Sequence, residues 1–185
     1  MARTRKISAD DILDAAERVI LRLGAVGVSI DAVAQEAGVS KSRVVYDHKS
    51  KSALLEALID RRLTSEEERV RASVDANSDK AHPELFGRIA VAEKEPDDTD
   101  KAVCLAMSAA MSSEEKLHEK LRNWTRKDLA DIGSGKRPKA ALIAYLALTG
   151  FYCTEYFNFY QWEPEARLEI LDDIRAIYLN SPDET

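Results

Sequence analysis

Glycine and proline are scarce, at 7 and 5 among 185 residues, and the chain has neither an internal repeat nor a low-complexity segment. With Ala, Leu, Glu, Lys and Arg dominant, that scarcity points to a largely helical protein. Cysteine is nearly absent as well. Cys104 and Cys153 lie far apart in helical stretches, so they form no disulfide framework and read as buried thiols of a cytoplasmic protein. His82 and His118 share no metal-ligand spacing with these cysteines, and no glycine-rich loop is present to cradle a phosphate. Neither a cofactor nor a metal is called for, and an enzyme is not expected. No apolar run approaches the length of a membrane span. The basic start, MARTRKISADD, lacks the apolar stretch of a secretory signal.

Positive charge is short overall, for the net is −6, yet it is unevenly placed. Residues 1–51 carry nine Lys/Arg against seven Asp/Glu, a net of +2, which leaves −8 on the remainder. A basic head on an acidic body suits a nucleic-acid-binding domain joined to one with another task. An apolar content of 45% is ample for a packed core.

The informative stretch is SIDAVAQEAGVSKSRVVYDHKSKSALLEAL, residues 29–58. Ser29 suits an N-cap, and Ile30, Val33, Ala34 and Ala37 fall on one face of a short helix. Gly38 stands where a left-handed cap would stop that helix. Ser40 then caps a second helix, to about His48, with Lys41, Ser42, Arg43, Tyr46 and Lys49 on its outer face. Two short helices around a tight glycine turn, the second basic and rich in hydroxyls, make a helix-turn-helix. Before it, Ser8 and Asp11 resemble a capping box that opens an amphipathic helix of Ile12, Leu13, Ala16, Val19, Ile20 and Leu23, ending at Gly24. After it, Ser50 caps a long connector, apolar at Leu54, Leu55, Leu58 and Ile59 and charged further on.

Downstream, Pro83 opens a helix at 83–94, and small residues make another at about 99–111. Ser112 or Ser113 caps a charged helix that Gly133 closes. Pro138 opens an apolar helix running to about 160, hydrophobic nearly all round and so in need of burial on more than one side. Pro164 starts the last helix, where Leu168, Leu171, Ile174, Ile177 and Tyr178 form a stripe. The expected fold is all-α with about nine helices. A three-helix head with the helix-turn-helix occupies residues 1–52, and a ligand-binding and dimerisation bundle occupies 53–185.

Roughly the first 60 residues resemble the N-terminal domain of the TetR family of bacterial transcriptional regulators. The likeness rests on Ile12-Leu13-Asp14-Ala15-Ala16, Val33-Ala34, Ala37-Gly38-Val39-Ser40, Lys41-Ser42 and Ser50-Lys51 with Leu54-Leu55. It implies a homodimer with the helix 40–48 of each subunit in successive major grooves of a palindromic operator, released when a small molecule fills the C-terminal domain. Two positions depart from the pattern. Where the family has Tyr-x-x-Phe at the end of this helix, the chain has Val45 and His48, with Tyr46 one step later.

The DNA-binding set expected on these grounds is Thr4, Arg5, Ser29, Lys41, Ser42, Arg43, Tyr46, Lys49 and Lys51, with Arg43 as the guanine reader and Lys51 on a phosphate. Asp47 is expected to turn away from the polyanion or to accept from a cytosine. An apolar or aromatic effector is expected among Phe86, Met107, Met111, Trp124, Tyr145, Tyr152 and Tyr156, although aromatics at helical spacing more often build a core. Leu168, Leu171, Ile174 and Tyr178 are expected at the dimer interface. The competing reading, motivated by Val45, Asp47 and His48, is a helical ligand-binding or protein-interaction module that has lost specific DNA binding.

Overall fold

A computed structural model of the chain describes residues 7–111 and 114–182, apart from the side chain of Ala25. Among the described residues there are nine helices and no strand: α1 (Ala9–Gly27), α2 (Ile30–Ala37), α3 (Lys41–Asp47), α4 (Lys51–Ala76), α5 (Pro83–Ala92), α6 (Asp98–Met111), α7 (Glu115–Gly133), α8 (Pro138–Tyr156) and α9 (Pro164–Leu179). None of them is long and apolar enough to cross a membrane. The caps Ser112 and Ser113 lie outside the described residues.

Local signals set the helix ends. The Ser8 N–H donates to the Asp11 carboxylate at 2.7 Å while the Asp11 N–H donates to the Ser8 hydroxyl at 3.1 Å, a capping box with Asp in the place of Glu. The helical path of α1 breaks at Gly24, where φ is 67° and ψ −178°, and resumes to Gly27. Ser29 caps α2 by accepting from the Ala32 N–H at 3.1 Å. Gly38 ends it in the left-handed region, φ 66°. Its N–H donates to the Gln35 carbonyl at 3.2 Å, and the Val39 N–H donates to Ala34 at 3.0 Å. His82 caps α5 through its ring, accepting from the Leu85 N–H at 3.2 Å. The apolar helix α8 ends at Tyr156, short of the expected 160.

The chain divides into two compact units, residues 1–63 with 97–117, and residues 64–96 with 118–185. The first has a core of Ile12, Ala16, Val19 and Ile20 from α1, with Val33 and Ala34 from α2, Val44 from α3, Leu54 and Leu58 from α4, and Val103 and Ala106 from α6. Packing thus adds the start of α4 and the whole of α6 to the 1–52 head, because their apolar faces complete its core. Arg61 and Arg62 of α4 reach Asp14 at 2.7 Å and Glu17 at 2.8 Å on α1, and Arg62 also meets Asp100 of α6 at 2.6 Å.

The second unit packs Leu85, Phe86 and Ile89 of α5 with Ile132 of α7, Ala141, Ala144, Leu148 and Phe151 of α8, and Leu171, Ile174 and Tyr178 of α9. This corrects the expected dimer interface. Leu171, Ile174 and Tyr178 are buried within their own subunit and are not available to a partner, while Leu168 stays 50% exposed. Tyr178 donates from its hydroxyl to the Lys136 carbonyl at 3.1 Å, beneath the Arg137 guanidinium 4.6 Å from its ring centre. Arg167 of α9 and Glu155 of α8 form a buried two-point pair, at 2.6 and 3.1 Å. Arg167 also donates to the Glu93 carbonyl at 2.8 Å and so ties both helices to the end of α5. Both cysteines were expected to be buried, yet Cys104 is half-buried and Cys153 exposed, because position 153 falls on the outward side of α8.

Gly87 sets how closely α5 approaches α4: a Cβ there would stand 2.8 Å from the Val74 backbone. Gly87→Ala is expected to push the two helices apart and lower the unfolding free energy by about 1–3 kcal/mol, read from the urea midpoint; an unchanged midpoint refutes the tight contact.

Candidate nucleic-acid interface and ligand cavity

Helix α3 has only seven residues, too few to persist in water without support. Two inward side chains hold it, Val44 at 0% and His48 at 8% exposure. Their spacing of four fixes the rotation of the helix and hence its outward face: Lys41, Ser42, Val45 and Tyr46, with Lys49 just past the end. Tyr46 is 83% and Val45 39% exposed. Lys41 pairs with Asp31 of α2 at 2.9 Å. Both side chains are largely exposed, so the pair contributes little and gives way readily to a stronger anion.

Arg43, expected as the guanine reader, is placed differently. One guanidinium nitrogen pairs with Asp47 at 2.6 Å, and the other donates to the Ile7 carbonyl at 3.1 Å. Position 43 lies on the flank of the helix, where a carboxylate one turn on and a backbone oxygen can both be reached. The Asp47 side chain is only 13% exposed. Ser29 is at the start of α2 and Lys51 at the start of α4, both exposed. Thr4 and Arg5 lie outside the described residues.

His48 occupies a core position. Burial lowers its imidazole pKa below the ordinary value of 6.5, against the opposing charge of Asp47. Its Nε2 is buried without a hydrogen-bond partner among the described residues.

The second unit holds two cavities of about 250 and 260 Å3 that share Val70, Arg88, Trp124 and Asp128 in their walls. Glu67, Arg71, Val74, Asp75, Glu84, Lys127 and Asp131 complete the first, and Tyr145, Leu148 and Tyr152 are among those that line the second. Arg88 is the hinge between them. It donates to Glu84 and Asp128, each at 2.8 Å, and Asp128 in turn accepts from the Tyr145 hydroxyl at 3.0 Å. Burial works against the Arg88 charge, but Asp128 and Glu84 more than offset it and raise the guanidinium pKa. Burial, with the nearby Asp128 charge, pushes the Tyr145 phenol up to about 12, so it remains a donor.

The fold therefore brings three expected residues together, Trp124, Tyr145 and Tyr152. Tyr156 stands edge-on to Tyr152, with centroids 5.7 Å apart, and lines neither cavity. Phe86 is a core residue, 5.9 Å from the Tyr178 ring. Met107 and Met111 belong to the first unit, since α6 packs on α1, and Met107 lies against the head core. Val70, Arg88, Asp128 and Leu148 were missed. A lone arginine inside the apolar run FGRIAVA was the signal that could have found Arg88.

A helix-turn-helix, joined in one chain to a helical unit with an aromatic cavity, is the plan of a DNA-binding regulator with a ligand-binding domain. Residues 12–58 match the family described as bacterial regulatory proteins, tetR family, and residues 67–178 match the tetracyclin repressor-like C-terminal domain. The chain belongs to the TetR family: it is a DNA-binding transcriptional regulator with a C-terminal ligand-binding domain, and the family is not one of enzymes. A search of the curated proteins found no match.

Solved structures share the fold. A TetR transcription regulator from Haloarcula marismortui ATCC 43049 superposes with a TM-score of 0.72 at 16% identity, over 93% of this chain and 96% of that one. A TetR family member from Streptomyces coelicolor A3 gives 0.70 at 23% identity, over 89% and 96%. The multidrug binding protein EbrR, complexed with malachite green, gives 0.68 at 21% identity, over 93% and 98%.

The buried imidazole makes the head sensitive to acid. Unfolded, His48 takes a proton near 6.5; folded, it takes one only at lower pH, so between those values the unfolded chain binds more protons. Stability is expected to fall as the pH drops below about 6.5 and to fall less in His48→Phe, as read by thermal melting across that range; identical pH profiles count against a buried neutral His48.

Proposed function

We propose that the protein is a cytoplasmic repressor that binds a palindromic operator as a homodimer and leaves it when a small apolar or aromatic effector occupies the second unit. The observation that carries the reading is the outward face of α3, with Lys41 and Lys49 on either side of Ser42 and Tyr46. Lysines at the two ends of a helix meet phosphates on both walls of a major groove, and the residues between them meet base edges. Asp47 and His48, two of the three residues that raised the competing module reading, are turned inward, so they do not spoil this face.

Homodimerisation is supported by α8. Its inward side builds the core, yet Leu142, Ile143 and Leu146 are 40%, 57% and 56% exposed on the other. Gly150 and Cys153 continue that outward row, and Leu168 and Leu179 of α9 are exposed as well. A helix apolar on both sides buries the second one against another chain. For the effector, Trp124, Tyr145 and Tyr152 supply flat apolar surface beside the Arg88–Asp128 pair. EbrR, of the same fold, has been solved with malachite green and with ethidium. An effector releases the operator to the extent that it binds better to a conformer whose two heads are wrongly spaced.

Selection of bound duplexes from a random DNA pool at fixed salt tests the reading. It is expected to enrich a palindrome with half-sites about 34 Å apart. Lys41→Ala and Lys49→Ala should each lower the salt dependence of binding by about one phosphate contact. A folded dimer that enriches nothing sinks the proposal in favour of the module without specific DNA binding. Separately, Leu146→Glu should yield monomers by light scattering at micromolar concentration, and an unchanged mass would place the interface elsewhere.

A further inference from the structure

We infer that Val45 is a specificity determinant, packing on the C5-methyl group of a thymine in each half-site. The inference rests on the reading of α3 as the DNA-reading helix. Val45 stands at the middle of the outward face, four residues after Lys41 and four before Lys49. The packing of Val44 and His48 forces it outward, and its branched side chain is left 39% exposed.

Size explains what the face admits. Long side chains, Lys41, Tyr46 and Lys49, surround a centre made of Ser42 and Val45, which are short. A helix that is low at its centre lets its backbone come close to the base edges while its lysines reach the phosphates. Ser42 and Ser40 hold their hydroxyls 2.9 Å apart, so the seryl group is oriented beside the valine. Arg43 is held by Asp47 and the Ile7 carbonyl, so the guanine-reading side chain of the expected set does not project from this face.

The chemistry of the partner follows. A valine has no donor or acceptor, so it gains only from another apolar surface. In the major groove the thymine methyl is the one such group that the four bases offer. Opposite a guanine or adenine N7, or a cytosine amine, Val45 would strip water from a polar atom and return no hydrogen bond. The side chain therefore favours thymine by attraction and disfavours the other bases by desolvation.

The test uses the full-length protein and the duplex enriched from the random pool. Each thymine in a half-site is replaced in turn by deoxyuridine, which lacks only the methyl group. One position per half-site is expected to weaken binding about fourfold, the transfer value of one methyl group. Val45→Ser, whose circular dichroism and melting should match the parent because the side chain is partly exposed, is expected to bind thymine and deoxyuridine duplexes alike. If deoxyuridine is tolerated at every thymine, or if the loss persists in Val45→Ser, the inference fails while the enriched motif keeps the DNA-reading helix standing. If no motif is enriched at all, the helix assignment falls and this inference falls with it.

Discussion

Two helices of eight and seven residues cannot hold themselves together in water, and everything the head presents outward depends on their being held from behind. The support is a small set of inward contacts, with Val33 and Ala34 beneath α2 and Val44 and His48 beneath α3. These rest on Ile12, Ala16 and Val19 of α1, on Leu54 and Leu58 of α4, and on α6 through Val103 and Ala106. Ion pairs from Arg61 and Arg62 reinforce the seam where the long helix leaves the head. A rotation of α3 by one residue would exchange Val45 for Val44, and the same sequence would present a different surface to a groove.

The second unit depends on charges placed where few other side chains would do. Arg167 and Glu155 are both almost fully enclosed, and such a pair is costly to break because either partner alone is a buried charge. Arg88 differs in position though not in physics. It is enclosed too, but it stands in the wall of both cavities, compensated by Glu84 and Asp128. A molecule entering either cavity meets a fixed array of donors and acceptors, not a mobile cation. The aromatic walls supply contact area, and Arg88, Asp128 and Tyr145 supply direction.

Much of this was legible along the sequence because the relevant signals are local. Ser8 with Asp11, Ser29, Gly38 and Ser40 each act within four residues, and all of them cap or stop the helix they were expected to. Rotation and destination were harder. Within the seven-residue helix only Val44 is buried, and the next inward position is the C-cap His48, so hydrophobic periodicity offers no means of telling that Arg43 sits on the flank and Val45 outside. The stripe on α9 announced that Leu171, Ile174 and Tyr178 were buried but not against what, and an amphipathic helix carries no label for its own core or a partner. α6 posed the same difficulty. Its small residues mark a helix, yet only the tertiary fold assigns Met107 to the head and not to the cavity.

On the flank of α3, the carboxylate of Asp47 pairs with Arg43 and keeps it from projecting. In a duplicated copy of the chain, one codon change at position 47 would loosen an arginine beside the reading surface and leave Val44 and the core beneath it untouched. On the proposed function, the duplicate would read different DNA while the second unit kept its response. An old chemical signal would thereby acquire new genes without any new fold.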